Sequence, residues 1–325
     1  MKLVSIITPC FNEEENVREL CEQVRAVFDK LGRYRYEHIF IDNASTDRTV
    51  EILRQIAAGD RRVKVIVNQR NFGPVRSPHH AFLQAAGDAV ISLSADFQDP
   101  PSLIPAFLER WEQGFKVVVG VKRTSKESWT MFLVRTFYYR LLHRLSDVTL
   151  IQHATGFGLF DRVFVDMVRA LEDPYPYTRG LIAEFGFECA TIPYDQPVRK
   201  HGVTKHNFYT LYDVAMVGIT SHSRLPLRIA TIAGFTLSAI SFLVGVLYFV
   251  YKLIFWNNFP VGIAPMVIGL FLSFSVQLFF MGILGEYIAV IHTRLMNRPL
   301  VVEKERINFD SAGSPSIQRE TIRPS

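Results

Sequence analysis

Short apolar runs rich in β-branched residues alternate with segments of helical periodicity over the first 120 residues of the chain. The runs LVSIIT, HIFID, VKVIV, AVISLS and KVVVGV predict strands, and the segments between them, 13–30, 47–58, 75–87 and 101–113, predict helices. Strands that are apolar along nearly their whole length are typical of a parallel sheet with helices on both faces. The pattern therefore predicts an α/β fold whose polar groups gather at the carboxyl ends of the strands.

A second pattern begins at residue 229, where charged residues almost disappear. Lys252 is the only charged residue among the 57 residues from 229 to 285. Segments 229–251 and 259–285 are each long enough to cross a hydrocarbon layer of ~30 Å, and the short link between them predicts a transmembrane helical hairpin. The arginine- and aromatic-rich stretch 129–145 predicts an amphipathic helix that lies on the membrane surface or against the core.

The charge distribution predicts how the chain is arranged at the membrane. The net charge is +5, and basic residues flank the apolar segments at Arg224, Arg228, Arg294, Arg298 and Lys304. By the positive-inside rule, we expect a multi-pass plasma-membrane protein with both chain ends in the cytoplasm. The expected parts are a cytoplasmic domain over 1–222, the hairpin over 223–293 and a partly disordered cytoplasmic tail over 294–325.

This arrangement and the motifs that are missing exclude several classes of protein. The long apolar segments exclude a purely cytosolic protein, and they are too few for a polytopic transporter. Basic residues near the hairpin favour anionic lipid over nucleic acid as a partner. The sequence has no GxGxxG, GxxxxGK[ST] or GxSxG motif, which disfavours a dinucleotide cofactor, a P-loop ATPase and a hydrolase elbow. Three widely spaced cysteines predict neither a disulfide framework nor a zinc site.

Polar clusters follow three of the predicted strands. They are Pro9–Glu13, Asp42–Asp47 and Asp96–Asp99. In the last cluster, Asp96 and Gln98 offer oxygen ligands of the kind that Mg²⁺ and Mn²⁺ prefer, although Asp96 is also suited to capping the helix that follows. Asp42 either accepts hydrogen bonds from a nucleobase or ribose, or belongs to a loop whose Ser45 or Asp47 caps the next helix. Glu13 is a ribose ligand or a first-turn acid favoured by the helix dipole.

Five segments in the same order resemble a known family. They are SIITPCFNEEENV, DNASTDRT, SADFQDPP, RKHGVTKHN and LGEYIAVIHTRLMNRPL. They are similar to the motifs of polyprenyl-phosphate glycosyltransferases of glycosyltransferase family 2, relatives of dolichol-phosphate mannose synthase, and the resemblance covers about residues 1–305. It implies a GT-A fold, a Rossmann-like nucleotide-sugar domain, followed by interfacial helices and a two-helix membrane hairpin.

The resemblance also implies a role for particular residues. Pro9, Phe11, Glu13 and Asp42 would bind the donor nucleotide. Asp96 and Gln98 would bind the Mg²⁺ or Mn²⁺ that bridges its pyrophosphate. Arg123 and Arg135 would bind the phosphate group of the acceptor lipid. Lys205 would add positive charge at the diphosphate of the donor.

The sequence departs from the family pattern at several positions. Asn43 replaces the second acid of an Asp-Asp pair, Ser94 replaces the first acid of an Asp-Ala-Asp motif, and Thr204 stands where serine is usual. The run TGFGLFD replaces a common Gly-Asp-Phe-Arg-Leu run, so that Asp161 is the nearest acid to serve as catalytic base or orienting residue.

The function that the resemblance implies is inverting transfer of a hexose, glucose from UDP-glucose, to undecaprenyl or a similar polyisoprenyl phosphate. Transfer of mannose from GDP-mannose or of an N-acetylhexosamine to the same lipid is an alternative. So are a processive or protein-directed glycosyltransferase and a non-catalytic membrane scaffold with a degenerate fold. A processive synthase would carry a QxxRW motif and more spans, and neither is present. Gly282 and Gly285 would permit the close helix packing of a homo-oligomer.

Overall fold

The computed structural model describes residues 1–122, 154–171, 173, 178–197, 225–255, 263–295 and 299–309. The chain forms two compact units. The first, here called the sheet unit, comprises Met1–Lys126, Gln152–Thr204 and Arg298–Ser325. The second, the hairpin unit, comprises Glu127–Ile151 and Lys205–Asn297.

The sheet unit contains eight strands and six α-helices among its described residues. The strands are β1 Leu3–Cys10, β2 Arg35–Asp42, β3 Val63–Asn68, β4 Ala89–Ser92, β5 Val117–Lys122, β6 Ala154–Asp161, β7 Cys189–Tyr194 and β8 Glu303–Ile307. The helices are α1 Val17–Leu31, α2 Thr49–Gly59, α3 Gly73–Gln84, α4 Ile104–Glu112, α5 Arg162–Ala170 and α6 Thr178–Glu184, and a 3₁₀ turn, Pro101–Leu103, precedes α4. All the strands and helices predicted over residues 1–120 are confirmed, with ends shifted by a few residues.

The strands form one mixed sheet in the order β7-β5-β6-β4-β1-β2-β3-β8. Strands β1 to β5 and β7 run in one direction, whereas β6 and β8 are antiparallel to their neighbours. The apolar pattern predicted a parallel sheet, and the observed sheet is mixed. The carboxyl ends of β1, β2, β3 and β4 still lie side by side at one edge, here called the carboxyl edge.

Helix α1 illustrates how the sequence covers the sheet. Its apolar residues recur every three or four positions, and Val17, Leu20, Val24 and Phe28 are all buried in the core. Gly32 ends the helix in the left-handed conformation with φ of 60°, and its N–H donates to the Phe28 carbonyl at 3.0 Å. This termination turns the chain back toward β2, which pairs in parallel with β1.

The last strand of the sheet comes from the segment that was expected to be a tail. Residues Glu303–Ile307 pair antiparallel with β3, and the N–H of Gln69 donates to the carbonyl of Val302 at 2.9 Å. Asn308 extends this attachment because its side-chain amide donates to the carbonyls of Ala57 at 2.7 Å and Val63 at 2.9 Å. Residues 299–309 are thus part of the folded domain, in contrast to the expected boundary at residue 294.

The hairpin unit contains two long helices among its described residues, α7 Leu225–Ile254 and α8 Ile263–Leu295. Helix α7 contains the first predicted apolar segment, 229–251, and α8 contains the second from residue 263 onward and continues past its end at residue 285. Large apolar side chains are exposed along both, including Phe235 at 74% and Met266 at 75%. Among the described residues, no helix combines the length and the apolar character required to cross a membrane.

Candidate active site

Hydrogen bonds join the loops after β1 and β2 at the carboxyl edge. The N–H of Asn12 donates to the hydroxyl of Ser45 at 2.9 Å, and the N–H of Thr46 donates back to the side-chain carbonyl of Asn12 at 2.8 Å. The N–H of Glu13 donates to the Thr49 hydroxyl at 2.8 Å. The predicted meeting of the first two polar clusters is therefore present in the structure.

The backbone of these loops adopts an uncommon conformation. Asn12, Ala44 and Phe97 have φ values of 57°, 62° and 61°. These values lie in the left-handed region, which residues other than glycine seldom occupy. One such residue lies in each loop that follows β1, β2 and β4. Backbone strain of this kind concentrates at functional sites, where the surrounding structure holds it in place.

Asp42 ends β2 and is fully buried. Its carboxylate accepts hydrogen bonds from the N–H of Ser45 at 3.0 Å and from the Ser45 hydroxyl. Burial raises the pKa of Asp42, and the Ser45 hydrogen bonds act in the opposite direction. Of the two residues expected to cap the next helix, Asp47 accepts from the N–H of Thr49, the first residue of α2, at 3.0 Å, whereas the Ser45 hydroxyl donates to Asp42. Asp42 is thus held by Ser45 at the end of β2.

Asn43 connects the end of β2 to the loop after β3. Its side-chain N–H₂ donates to the side-chain carbonyl of Asn71 at 2.9 Å and to the backbone carbonyl of Gly73 at 3.2 Å. Its carbonyl accepts from the N–H of Phe72 at 2.8 Å and from the amide of Asn68 at 3.3 Å. The amide of this buried residue thus donates twice and accepts twice within a partly buried network. Sequence reasoning treated this residue only as a lost acid.

The loop after β4 contains Asp96 and Gln98. Asp96 is buried, and its carboxylate accepts from the N–H of Gln98 at 3.2 Å. The next acid, Asp99, accepts from the Tyr194 hydroxyl at 3.1 Å and from the N–H of Ser94 at 3.2 Å. Burial raises the pKa of Asp99, and the negative charge of Asp96 adds to the rise while the hydrogen bonds oppose it. Asp99 therefore supports the loop.

The donor atoms of this loop fit a hard divalent cation. Asp96 and Gln98 supply a carboxylate and an amide carbonyl, and Mg²⁺ or Mn²⁺ is commonly held by one or two such groups together with water and substrate phosphates. Within the described ranges, no group of three or more histidine, cysteine, aspartate and glutamate side chains is placed to hold a metal ion without such help. A carboxylate and an amide carbonyl are the kind of donors that such an ion takes when water and phosphate complete its coordination.

The remaining residues of the first cluster surround the start of α1. Pro9 lies in β1 opposite Ile41 of β2, and Phe11 follows the strand as a partly buried side chain. The Glu13 carboxylate accepts from the Asn16 amide at 2.7 Å, and its backbone carbonyl accepts from Val17 at 3.1 Å. Glu13 thus belongs to the turn before α1, and the acid in the first turn of that helix is Glu19, not Glu13.

Asp161 lies away from this edge of the sheet. Because β6 runs antiparallel to β4, Asp161 pairs with Ala89 at the opposite end of that strand. Its carboxylate accepts from the Trp111 indole at 2.7 Å, from Lys116 at 3.2 Å and from the N–H of Val163 at 3.0 Å, which caps α5. The structure gives Asp161 a supporting role and does not bring it to the other candidate residues. Arg123, Arg135 and Lys205 lie outside the described residues.

Two family models match the chain. The model of Glycosyl transferase family 2 matches residues 5–167, and the model of the GtrB C-terminal hairpin matches residues 225–291. The first range contains the whole carboxyl edge, and the second contains most of α7 and α8.

Curated relatives match nearly the full length. An uncharacterised glycosyltransferase of Bacillus subtilis strain 168, YkcC, is 32% identical over 94% of this chain and 95% of its own. The SfII prophage-derived bactoprenol glucosyl transferase of Shigella flexneri is 32% identical over 93% of this chain and 97% of its own. Among solved structures, glucosyl-3-phosphoglycerate synthase from Mycobacterium tuberculosis with Mn²⁺, UDP and phosphoglyceric acid matches 67% of this chain and 76% of its own, at 19% identity and a TM-score of 0.47.

Proposed function

The chain belongs to glycosyl transferase family 2, and from this premise we propose that it transfers glucose from UDP-glucose to undecaprenyl phosphate, or a similar polyisoprenyl phosphate, at the cytoplasmic face of the membrane. The observation that carries the proposal is the full-length match to a bactoprenol glucosyl transferase, which includes the C-terminal hairpin as well as the sheet. The mixed α/β sheet of the sheet unit agrees with the GT-A architecture expected for the family.

The hairpin unit is proposed to anchor the enzyme in the plasma membrane, with both chain ends in the cytoplasm. The support is the presence of a single charged residue, Lys252, between residues 229 and 285, and the exposure of large apolar side chains along α7 and α8. An anchored enzyme meets a lipid-linked phosphate at headgroup level, which increases the effective concentration of the acceptor.

The carboxyl edge is proposed to bind the donor, with the nucleotide over β1 and β2. Asp42 would accept hydrogen bonds from the nucleobase or ribose, and Pro9, Phe11 and Glu13 would line the same pocket. Asp96 and Gln98 would hold Mg²⁺ or Mn²⁺ against the pyrophosphate. When bound, such an ion supplies positive charge to the departing nucleoside diphosphate.

In the proposed reaction, an oxygen of the lipid phosphate attacks C1 of the sugar while the bond from C1 to the diphosphate oxygen breaks. The products are a lipid-phosphate-linked sugar with an inverted anomeric centre and the free nucleoside diphosphate. A phosphate dianion is already nucleophilic, so the reaction does not need a strong protein base. Arg123 and Arg135 would bind the acceptor phosphate, and Lys205 would add positive charge at the donor diphosphate.

The test is a transfer assay on the full chain in membranes or detergent. Radiolabelled UDP-glucose, GDP-mannose or UDP-N-acetylglucosamine is mixed with undecaprenyl phosphate, with and without Mg²⁺ or Mn²⁺. We expect label from UDP-glucose to enter the organic phase only when metal is present. Because Asp96→Asn keeps the size of the side chain but removes the charged ligand, we expect it to lower kcat by about 100-fold.

The matched control is Asp88→Asn. Asp88 accepts from the N–H of Leu3 at 2.8 Å, at the opposite end of the sheet from the proposed site, so this variant should keep wild-type activity. Transfer from GDP-mannose or UDP-N-acetylglucosamine instead of UDP-glucose would contradict the proposed sugar. No transfer from any donor by folded protein would contradict the enzyme and favour a scaffold, and wild-type activity of Asp96→Asn would contradict the metal site.

A further inference from the structure

Asn43 is the residue whose contacts the proposed chemistry leaves unexplained. It directly follows Asp42 and is buried, with 7% of the residue exposed. The orientation of its amide is determined by its backbone partners, because the N–H of Phe72 can only donate and the carbonyl of Gly73 can only accept. One side of the amide must therefore be the oxygen and the other the N–H₂ group.

The network that Asn43 completes holds the loop between β3 and α3. Asn71 accepts from Asn43 and also from the N–H of Gly73 at 2.8 Å, and Gly73 has φ of 87° at the start of the helix. Asn68, the last residue of β3, donates to Asn43 and to the buried hydroxyl of Ser77 at 3.0 Å. Because β3 is adjacent to β2, this loop borders Asp42 on the side opposite the loop after β1.

We propose that Asn43 is a positioning residue for the donor nucleotide: its amide holds the Asn71–Gly73 loop beside Asp42, and the pocket requires two side-chain N–H donors at this position. The inference rests on the proposed function, since it assigns the nucleotide to this pocket. It also explains why an acid is absent from position 43. An ionised carboxylate would face the Asn71 and Gly73 carbonyl oxygens at 2.9 and 3.2 Å and repel both.

The test compares two substitutions of equal chemistry at opposite ends of β3. Asn43→Asp removes the two donors at the pocket, and Asn308→Asp removes the donors to Ala57 and Val63 at the amino end of β3. Both replace an amide with an isosteric carboxyl group and leave carbonyl oxygens without their donor. These are the Asn71 side chain and the Gly73 backbone in the first variant, and the Ala57 and Val63 backbone in the second. A general loss of stability is therefore common to both variants, and an effect on the nucleotide is expected only from the first.

Three readouts on the full chain separate positioning from mere support. We expect Asn43→Asp to raise the Kd for UDP at pH 7.5 about tenfold, to raise the KM for UDP-glucose more than it lowers kcat, and to speed hydrogen exchange at Phe72 and Gly73. We expect Asn308→Asp to leave all three at wild-type values. The pH profile adds a fourth: the introduced carboxyl can donate one hydrogen bond, and only when protonated, so the affinity of Asn43→Asp relative to wild type should recover in part as the pH falls. The ratio of the two affinities at each pH removes the effect of the acids that both proteins share. These are Asp42, which is the neighbouring buried acid, and Glu13 and Asp47 in the adjoining loops.

The outcomes distinguish this inference from the proposed function. Wild-type protein that binds no UDP would contradict the proposed donor. If wild-type protein binds UDP and Asn43→Asp binds it equally well, the positioning role is wrong even where exchange of the loop is faster. Equal losses of affinity in the two variants would likewise reduce the effect to stability alone.

Discussion

At the scale of single residues, Asp161 shows how a plausible catalytic acid becomes a supporting one. Burial acts to raise the pKa of Asp161, but the hydrogen bonds from Trp111, Val163 and Lys116 outweigh it and lower that pKa. Asp161 is 6% exposed, so its removal leaves the indole N–H of Trp111 in a buried position without this acceptor. The carboxylate is therefore held ionised for structural reasons.

We expect Asp161→Ala to lower the free energy of unfolding by about 2–4 kcal/mol, since it removes a helix cap and a buried acceptor, and to leave kcat of the folded enzyme unchanged. Because the pKa of Asp161 is lower in the folded state than in the unfolded state, the carboxylate stabilises the fold at pH values above the unfolded pKa. This stabilisation is lost as the pH falls through the folded pKa. The difference from wild type should thus shrink below about pH 4. Denaturant unfolding at several pH values measures this. A large fall in kcat without a loss of stability would restore a catalytic role.

The control for Asp161 lies on the same helix. Asp166 pairs with Arg169 at 2.7 Å, but its side chain is 51% exposed. Surface ion pairs contribute about 0–1 kcal/mol, so Asp166→Ala should unfold nearly like wild type.

The residues that sequence reasoning assigned to the carboxyl edge share one property: each lies at the end of a strand or in the loop after it. Asp42 ends β2, Glu13 and Asp96 lie in the loops after β1 and β4, and the carboxyl ends of parallel neighbours meet without any further information. Asp161 was misplaced because nothing in TGFGLFD reveals that β6 runs antiparallel. The role of Asn43 was missed because its partners lie 25 to 30 residues away along the chain, and only the adjacency of β2 and β3 brings them together.

At the scale of secondary structure, β8 is the element that periodicity does not predict. Its sequence, EKERI, contains a single apolar residue. Besides its backbone pairing with β3 and the packing of Ile307 against the core, charged side chains attach it to the sheet unit. Glu303 contacts His80 at 2.5 Å and accepts from Arg306, and Arg306 also donates to the Gln84 side chain at 2.9 Å. His80 and Gln84 lie on α3, so β8 joins this helix as well as β3.

The two glutamates of β8 provide a matched pair of substitutions. Burial acts to raise the pKa of Glu303, but hydrogen bonds from His80 and Arg306 lower it to about 2. Glu305 pairs with Arg54 at 2.5 Å, with side chains 36% and 48% exposed. We expect Glu303→Gln to lower the free energy of unfolding at pH 7 by about 1.5–3 kcal/mol, and Glu305→Gln to lower it by less than about 1 kcal/mol.

The pH dependence distinguishes a charge effect from lost packing at Glu303. Because its pKa is lowered, the stabilisation is complete above the unfolded value, 4.5, and is lost as the pH falls toward about 2. The difference between wild type and Glu303→Gln should therefore decrease in acid, as followed by thermal unfolding. Equal effects of the two substitutions at pH 7 would contradict the importance of the partly buried cluster.

At the scale of the whole molecule, the chain leaves the sheet unit for the hairpin unit twice and returns to it each time. Arg298–Ser325 belongs to the sheet unit, although it follows α8. If both ends of the hairpin connect to one cytoplasmic domain, an even number of membrane crossings is required. Two crossings would place the segment between α7 and α8, residues 255–262, on the outer face of the membrane. A hairpin that lies on the inner surface would keep this segment inside.

The native cysteines allow this topology to be tested with little background. Cys10 and Cys21 are buried and Cys189 is partly so. Burial raises the pKa of Cys21 and of Cys189 to about 11 and also raises that of Cys10. Maleimides react with the thiolate, which is scarce at pH 7 in all three. A cysteine introduced by Asn258→Cys should therefore dominate labelling.

We expect an impermeant maleimide to label Asn258→Cys in intact cells or spheroplasts, and to label Ser325→Cys only after permeabilisation. The two variants differ only in the position of one thiol, so the comparison controls for expression and for reagent leakage. Labelling of both only after permeabilisation would contradict two crossings and assign the hairpin to the inner surface. Labelling of Ser325→Cys from outside would reverse the orientation and separate the proposed active site from a cytoplasmic nucleotide sugar, so the proposed reaction depends on this result.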